Sequence, residues 1–443
     1  MKKSLKICAA ALSASMLCSA LTFPTAFAAE EEEEAVTMNA VVTLSGDKAT
    51  AEGDNVTIDG TKITVTASGA YSFKGTLDNG QICVNVPDET VDSGTVKLFF
   101  DGVTITGAND AAVYVVNAEK TSINLVEGTE NFLYDGETYN ETEAVIYAKD
   151  DITIKGDGAL RVEAAYQFGI HCNNDLKITG GKIKVKTESS DGIRGKSSVE
   201  IKDGDIDVNA EGDGIKSTKG EVLISGGKIE VKAGNDAVQG ETGIEISGGS
   251  LLANGDRGLR CDEANIAVYN STVFATATDY QAANLVMDEV GIFMSFVEEY
   301  PKDRVFMLFE DGVKEPIFEM SPDKKFAFAF IATPELTTQG KTYSLSVDGT
   351  PVEKMQKVAL TGLTTEFSDI SLPAVSTDEL RFDVNCDDKE TVSDAIMTAR
   401  IANEDITVSL PEAGKKRADA NGDGIVNSAD TGVILRHIAK FDV

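Results

Sequence analysis

The chain has 443 residues, a formal charge of −33, 40 glycines, 9 prolines and no tryptophan. That length holds two or three domains, and so acidic a chain lacks the clustered Lys and Arg that would neutralise phosphates, which excludes nucleic-acid binding by charge. Beyond the amino terminus no segment reaches the roughly 18 apolar residues of a membrane span, and the balance of charge instead favours calcium as a partner.

The first residues, MKKSLKICAAALSASMLCSALTFPTAFAA, join a basic start, a short apolar run and an Ala26-Phe27-Ala28 cleavage pattern. They read as a secretory signal over 1–28, which makes a secreted, extracellular protein the expectation. Cleavage would remove Lys2, Lys3 and Lys6 and no acid, taking −33 to −36. Residues 29–40, with the run Glu30–Glu34, read as a solvated acidic spacer. After the signal the cysteines are Cys83, Cys172, Cys261 and Cys386, and unpaired thiols in an exported chain point to a reducing habitat.

From Val41 to about residue 285 one phrase recurs. Its clearest copies are SSDGIRGKSSVEIKDGDIDVNAEG, GDGIKSTKGEVLISGGKIEVKAG and NDAVQGETGIEISGGSLLANG. Aligned on the apolar residue after each turn, they give Ile146, Ile170, Ile193, Ile215, Val238 and Leu259, in steps of 24, 23, 22, 23 and 21 residues. Apolar residues alternate within each copy, which is strand periodicity. Three short strands and three corners in about 22 residues are expected to form one rung of a parallel β-helix, whose rungs bury their inner faces only against each other. About ten or eleven such coils are expected between Val41 and Asp279. The stretch LYDGETYNETE (133–143) reads as a protruding corner loop.

Equivalent residues of neighbouring coils stand about 4.8 Å apart, so outward side chains form straight rows. One expected row, at the corner, is Asp191, Asp213, Asp236 and Asp256. A second, expected to be exposed and to bind ligand, is Tyr114, Tyr147, His171, Arg194, Lys216, Gln239 and Arg260. Cys172 and Cys261 fall four coils apart, about 19 Å, too far for a disulfide.

Residues 286–369 contain five strand-like runs with Asp-Gly turns and the densest phenylalanine of the chain. They read as a small antiparallel cap over the open end of the stack, with a separate sugar-binding sandwich as the alternative. A linker over 370–380 follows.

The last segment, 381–443, holds two twelve-residue loops, DVNCDDKETVSD and DANGDGIVNSAD, each running into a helix. Oxygen ligands at positions 1, 3, 5, 7, 9 and 12 suit a hard cation. They fall on Asp383, Asn385, Asp387, the Lys389 carbonyl, Thr391 and Asp394 in the first loop, and on Asp419, Asn421, Asp423, the Ile425 carbonyl, Asn427 and Asp430 in the second. With Asp rather than Glu at position 12, the pair resembles a type I dockerin. That resemblance implies Ca2+ binding and docking onto a scaffoldin cohesin within a cellulosome. It also assigns the cohesin contact to Val392, Ser393, Ala399 and Arg400 in one half and to Ser428, Ala429, Leu435 and Arg436 in the other. Asp388 replaces the usual glycine and Glu390 the usual apolar residue, so the first site departs from the pattern; a generic calcium-stabilised helix pair is the alternative.

The coil phrases DITIKGDG, DLKITGGKIKV, DGIRGK and DGIKS resemble a family of carbohydrate-binding β-helix proteins exported by cellulosome-forming bacteria, with a fold shared by pectate lyases. The resemblance covers roughly residues 40–285 and implies binding to cellulose and to acidic sugars such as polygalacturonate. From the residues themselves, Tyr114 and Tyr147 can stack on pyranose rings, and His171, Arg194, Lys216 and Arg260 can meet uronate carboxylates. The Asp row is either turn chemistry neutralised by neighbouring cations or a line of calcium sites. A calcium-dependent lyase would need one base beside one metal, as Lys216 with Asp213 or Arg194 with Asp191. Such pairs recur in several coils, so binding ranks above catalysis, with a passive spacer or adhesin as a third reading.

Overall fold

The computed structural model describes residues 36–107, 110–135, 142–261, 265–279, 285–287, 290–372, 382–387, 389–403, 410, 412–420 and 425–439. The signal-like segment, the Glu30–Glu34 run and the centre of the 133–143 stretch lie outside them. The chain divides into Met1–Thr37 and Met38–Val443, and every described strand and helix belongs to the second unit. That unit is mostly β, with helices confined, apart from one short 3-10 turn at Glu353–Met355, to the carboxy-terminal module. Among the described residues no helix is long and apolar enough to cross a membrane.

The repeat registers as the alignment requires. Ile146 pairs with Ile170, Ile170 with Ile193, Ile193 with Ile215, Ile215 with Val238 and Val238 with Leu259, all in parallel strands. Each coil presents three strand faces. The first face contains strands such as Phe168–Cys172, Ile193–Gly195 and Ile215–Ser217. The second and third faces share continuous strands, as in Asp175–Thr187 and Ser198–Ala210, whose first halves lie on one and second halves on the other. Between these halves a row of glycines, Gly181, Gly204, Gly227 and Gly249, turns the chain at positive φ, a conformation that side-chain-bearing residues rarely adopt.

Alternation puts Ile, Val and Leu inside. Ile170, Ile193 and Ile215 from the first face, Ile178 and Ile201 from the second, and Ile183, Ile206 and Val208 from the third join one continuous core, each almost fully buried. Glycine precedes the inward residue at Ile170, Ile193, Ile215 and Leu259, and it has a steric cause: a Cβ on Gly192 would lie 2.4 Å from Val208 Cγ1, and one on Gly214 2.1 Å from Val231 Cγ1. In these two coils the corner closes because the chain carries no side chain there.

The stack begins differently from the expectation of coils from Val41 onward. Strand Ala40–Gly46 pairs in parallel with Gly69–Leu77 but antiparallel with Lys48–Gly53, and Val56–Asp59 is antiparallel to Lys62–Val65. Two hairpins with tight turns thus cover the first rung, because a stack must shield its end from water and from edge pairing. At the other end Thr272–Ala277 pairs antiparallel with Phe326–Ala332, which pairs with Gly291–Tyr300, and that strand in turn pairs in parallel with Thr364–Ile370. A four-stranded sheet built on Phe306–Glu310 and Tyr343–Val347 packs a second core around Phe274, Phe296, Phe306, Phe326 and Tyr343. Helices α1 (Val392–Ala402), α2 (Glu412–Ala418) and α3 (Ser428–Ile438) form the last module, with Phe382, Val384, Ala395 and Ile434 in its core.

Candidate functional site

The row expected to bind ligand exists but is not open. Tyr114, Tyr147, His171, Arg194, Lys216, Gln239 and Arg260 pair in one continuous register. However, Tyr114, Tyr147, His171 and Gln239 expose only 3%, 8%, 4% and 7% of their surface. Exposure was the wrong expectation for these four, whose rings pack upon one another or under their neighbours, whereas Arg194, Lys216 and Arg260 stay part-exposed. Tyr114 and Tyr147 lie 5.6 Å apart, Tyr147 and His171 5.4 Å, and Phe168 and His171 5.1 Å. The column is closed by cations over its ring faces, with Lys149 Nζ 5.3 Å from Tyr114 and the Arg194 guanidinium 4.5 Å from Phe168. Burial, reinforced by the charges of Arg194 and Lys196, depresses the His171 pKa to about 4, so the ring is neutral at physiological pH even though Glu143 stands 3.1 Å from Nδ1.

The carboxylate row holds Asp191, Asp213 and Asp236, all buried. Asp256 does not continue it: the residue paired with Asp236 is Arg257, since the corner between Asn254 and Arg257 is one residue shorter than that between Lys232 and Asp236, and Asp256 faces Lys324 and Thr278 instead. Within the row every oxygen has a partner. Asp191 Oδ1 accepts the Asp213 backbone N–H at 2.9 Å, and Asp213 Oδ1 accepts that of Asp236 at 3.0 Å. The other oxygens meet Arg194 at 3.2 Å, the Lys216 ammonium, and Arg260 at 3.0 Å. Arg257 Nε replaces the next backbone donor on Asp236 Oδ1 at 2.6 Å. Burial raises the pKa values of Asp191 and Asp236, against these donors. Among the described residues, three or more Asp, Glu, His or Cys side chains nowhere converge as around a metal.

An open surface lies on the third face, which the sequence pattern does not single out, and a smaller groove of about 160 Å³ lies on the second. The outward positions of the third face form two rows: Phe132, Arg161, Lys184, Asp207, Glu230 and Leu252 in one, Tyr134, Glu163, Lys186, Asn209, Lys232 and Asn254 in the other. A groove of about 360 Å³ runs between them from Arg161 to Lys232, and a second of about 210 Å³ continues it to Asn254 and to the cap segment Ser321–Asp323. Its signal was present in the sequence, as the charged alternate residues of GGKIKVK, GDIDVNA and GGKIEVK. Such alternation is common to any solvated strand face, so it marks no site until the cap supplies a wall.

In the helical module the first loop gathers oxygens. The Asp387 N–H donates to both Asp383 Oδ1 at 3.1 Å and Asn385 Oδ1 at 3.0 Å, which brings those atoms to one point. Asp394, fully buried, accepts the N–H groups of Val384, Asn385 and Thr391 and closes the loop onto the first turn of α1. Thr391 caps that helix by accepting from Ser393 N, and Asn427 caps α3 by accepting from Ala429 N. Asp430 mirrors Asp394 by accepting from Asn427 N. An all-oxygen donor set of this kind fits a hard divalent cation. Asp383 also receives Arg417 Nη1 at 3.2 Å. Lys389 and Ile425 lie exposed on their loops and Asp419 is part-buried, whereas Asn421 and Asp423 fall outside the described residues. Glu390, unusual for its loop position, has a structural use: it accepts the Phe382 N–H at 2.7 Å and meets His437 Nε2 at 2.6 Å, clasping the loop to α3. Of the residues assigned to cohesin, Val392, Ser393, Arg400, Ser428, Ala429, Leu435 and Arg436 are exposed and Ala399 is part-exposed.

A mostly β stack of coils that ends in a paired-loop helical module is the class of protein these features define. The sequence profile of carbohydrate-binding domain-containing proteins matches residues 59–292, 234 of the 443, and the chain belongs to that family. The dockerin type I domain profile matches residues 381–439. A carbohydrate-binding domain-containing protein of Acetivibrio thermocellus is 40% identical over 157 residues, which is 34% of this chain and 54% of that protein. This chain therefore spans about half the length of that relative. The solved structure of a polysaccharide lyase-like protein from C. thermocellum, as its gadolinium derivative, is similar at 37% identity over 53% of this chain and 97% of the other, with a TM-score of 0.48.

Proposed function

We propose that the coil domain, residues 41–285, is a parallel β-helix that binds plant cell-wall polysaccharide without cleaving it, and that the module at 381–443 attaches it, with calcium, to a scaffoldin cohesin outside the cell. The residues at 286–369 serve as the cap of the stack, and 370–380 as the linker. The observation that carries the binding reading is the repetition of the Asp–cation pair. Asp191 with Arg194, Asp213 with Lys216 and Asp236 with Arg260 are three Asp–cation pairs on successive coils, the last joined by Arg257. Catalysis by elimination calls for one base set apart from its neighbours beside one metal, and here every candidate base is itself paired to a carboxylate. The family to which the chain belongs supports the same reading.

Calcium, when bound, supplies the charge that holds the loop oxygens together and orders the helix starts. Asp383, Asn385, Asp387, Thr391 and Asp394 would hold one ion, and Asp419, Asn421, Asp423, Asn427 and Asp430 the other, with the Lys389 and Ile425 carbonyls completing the sets. The outward apolar residues Val392 and Leu435 and the flanking Arg400 and Arg436 then form the cohesin face.

Affinity electrophoresis of the full chain in gels containing polygalacturonate or soluble cellulose derivative, beside an ultraviolet assay for unsaturated product, tests the binding reading. Retardation with no gain in absorbance is the expected result. A steady calcium-dependent rise in absorbance would replace it with the lyase.

A further inference from the structure

We infer that Arg417 is an internal cation of the first calcium loop. Its guanidinium holds the loop in shape without metal and, through the same contact, sets the calcium affinity of that loop below what its oxygens alone would give. This rests on the calcium reading of the terminal module above and adds to it the residue that tunes the metal site.

The placement starts from α2, the helix that leads into the second loop. It packs on the first loop so closely that a Cβ on Gly414, which is buried, would stand 2.1 Å from the Val384 carbonyl oxygen and 3.4 Å from Cys386 Sγ. Only a residue without a side chain lets the helix lie there. Three residues on, Arg417 is aimed at the loop. Its Nη1 donates to the Asp383 backbone carbonyl at 3.0 Å and to the Asp383 carboxylate oxygen Oδ2 at 3.2 Å, and lies 3.7 Å from Cys386 Sγ. Ala418, the next residue, is buried in one core with Phe382 and Val384, which fixes the helix on the loop and the guanidinium with it.

The charges then decide what the contact does. In the calcium reading Asp383 is the first ligand, and its side chain is fully buried, whereas that of Arg417 is 24% exposed. Burying a carboxylate is unfavourable unless donors or a cation accompany it, and both are present: the Asp387 N–H on Oδ1 at 3.1 Å and the guanidinium on Oδ2. The same guanidinium braces Cys386, whose φ of 58° is one that side-chain-bearing residues rarely adopt. The loop thus has a protein cation at the oxygens a metal would use. A divalent ion held by Asp383, Asn385 and Asp387 shares Asp383 with a charge of its own sign. Like charges repel, so Arg417 stabilises the loop less with calcium than without it. By linkage that difference appears as weaker calcium binding.

The test measures calcium binding to the full chain by calorimetry, and amide exchange over residues 382–394 by mass spectrometry in chelator and in calcium. The wild type is compared with Arg417→Gln, with Arg417→Lys, and with Lys415→Gln, which removes a charge from an exposed position of the same helix. The wild-type loop is expected to be protected from exchange even in chelator. In Arg417→Gln that protection should vanish in chelator and return with calcium, while one calcium-binding step tightens about tenfold. Arg417→Lys, which keeps the charge, should restore most of the protection, and Lys415→Gln should match the wild type. Equal or weaker calcium binding by Arg417→Gln overturns the assignment and leaves the calcium reading standing. So does a loop still protected in chelator without the guanidinium, or a loss of protection that calcium does not restore, since Arg417 would then be a structural brace alone. No calcium binding by the wild type at millimolar concentrations overturns the calcium reading and the assignment with it.

Discussion

Asp213 shows how a repeated surface motif becomes structural. Its carboxylate serves a backbone N–H of the next coil and the ammonium of its own coil at once, so the like charges above and below it are tolerated because each is matched. Replacing it with Ala leaves the Asp236 N–H unpaired in a buried corner, which costs about 1–3 kcal/mol, with a further contribution from the abandoned Lys216. Chemical denaturation of Asp213→Ala should show this loss as a lower midpoint. An unchanged midpoint would mean that solvent reaches the corner and replaces the carboxylate.

His171 is a second residue with a measurable signature. Its pKa is depressed from 6.5 to about 4 by burial first and by Arg194 and Lys196 after that. The unfolded chain therefore binds more protons at that site between these values, so its contribution is complete above pH 6.5 and is lost as the pH falls toward about 4. The window corresponds to no more than about 3 kcal/mol. Asp191 and Asp236, with raised values, act in the opposite sense, gaining stability on acidification. A comparison with His171→Phe, which keeps a ring in the column and cannot titrate, isolates the histidine. The melting temperature of the wild type should fall faster with acid than that of the variant, whereas parallel curves would contradict a neutral buried imidazole.

At the scale of elements, the coil is set by two kinds of glycine, one that turns the chain and one that lets opposite faces touch. Gly214→Val forces a Cβ against Val231 Cγ1, 2.1 Å away at its ideal position. The expected result is a loss of at least about 1–3 kcal/mol or failure of the stack to close, read by circular dichroism and melting. The helices of the terminal module obey different rules, because their first turns hang on Asp394 and Asp430. Chelation of calcium from the full chain should therefore lower the helical signal while leaving the β signal in place. A β signal that collapses with the helical one would place a structural ion within the coils.

Much of this architecture was legible in the sequence. The period near 22 residues set the register, residue by residue, from Ile146 to Leu259, because a coil can bury Ile only if the next coil presents one at the same height. The terminal module was legible through its two loop-helix phrases, and the dockerin type I profile matches residues 381–439. What was not legible was which face would be open. Tyr147 and His171 stand outward in the sequence pattern, yet ring stacking closes them over, and stacking has no period. The slip at Asp256 arose because a corner shortened by one residue leaves no trace in composition. The opening hairpin, Ala40–Gly46 with Lys48–Gly53, was hidden because its strands alternate as coil strands do.

At the scale of the whole molecule, the chain joins a stack covered at both ends to a helical module that matches the dockerin type I profile. In the proposed function these two parts act together, one holding polysaccharide and the other holding a cohesin. Sedimentation measures that joint action most directly. A panel of type I cohesins is mixed with the full chain and with insoluble cellulose or calcium-free pectate beads, with and without added calcium, and the pellet is assayed for cohesin. The expected result is a cohesin in the pellet only when the protein and calcium are both present, and its release by chelator. Cohesin that remains in solution with every polysaccharide, while the protein itself stays in the supernatant, would contradict it.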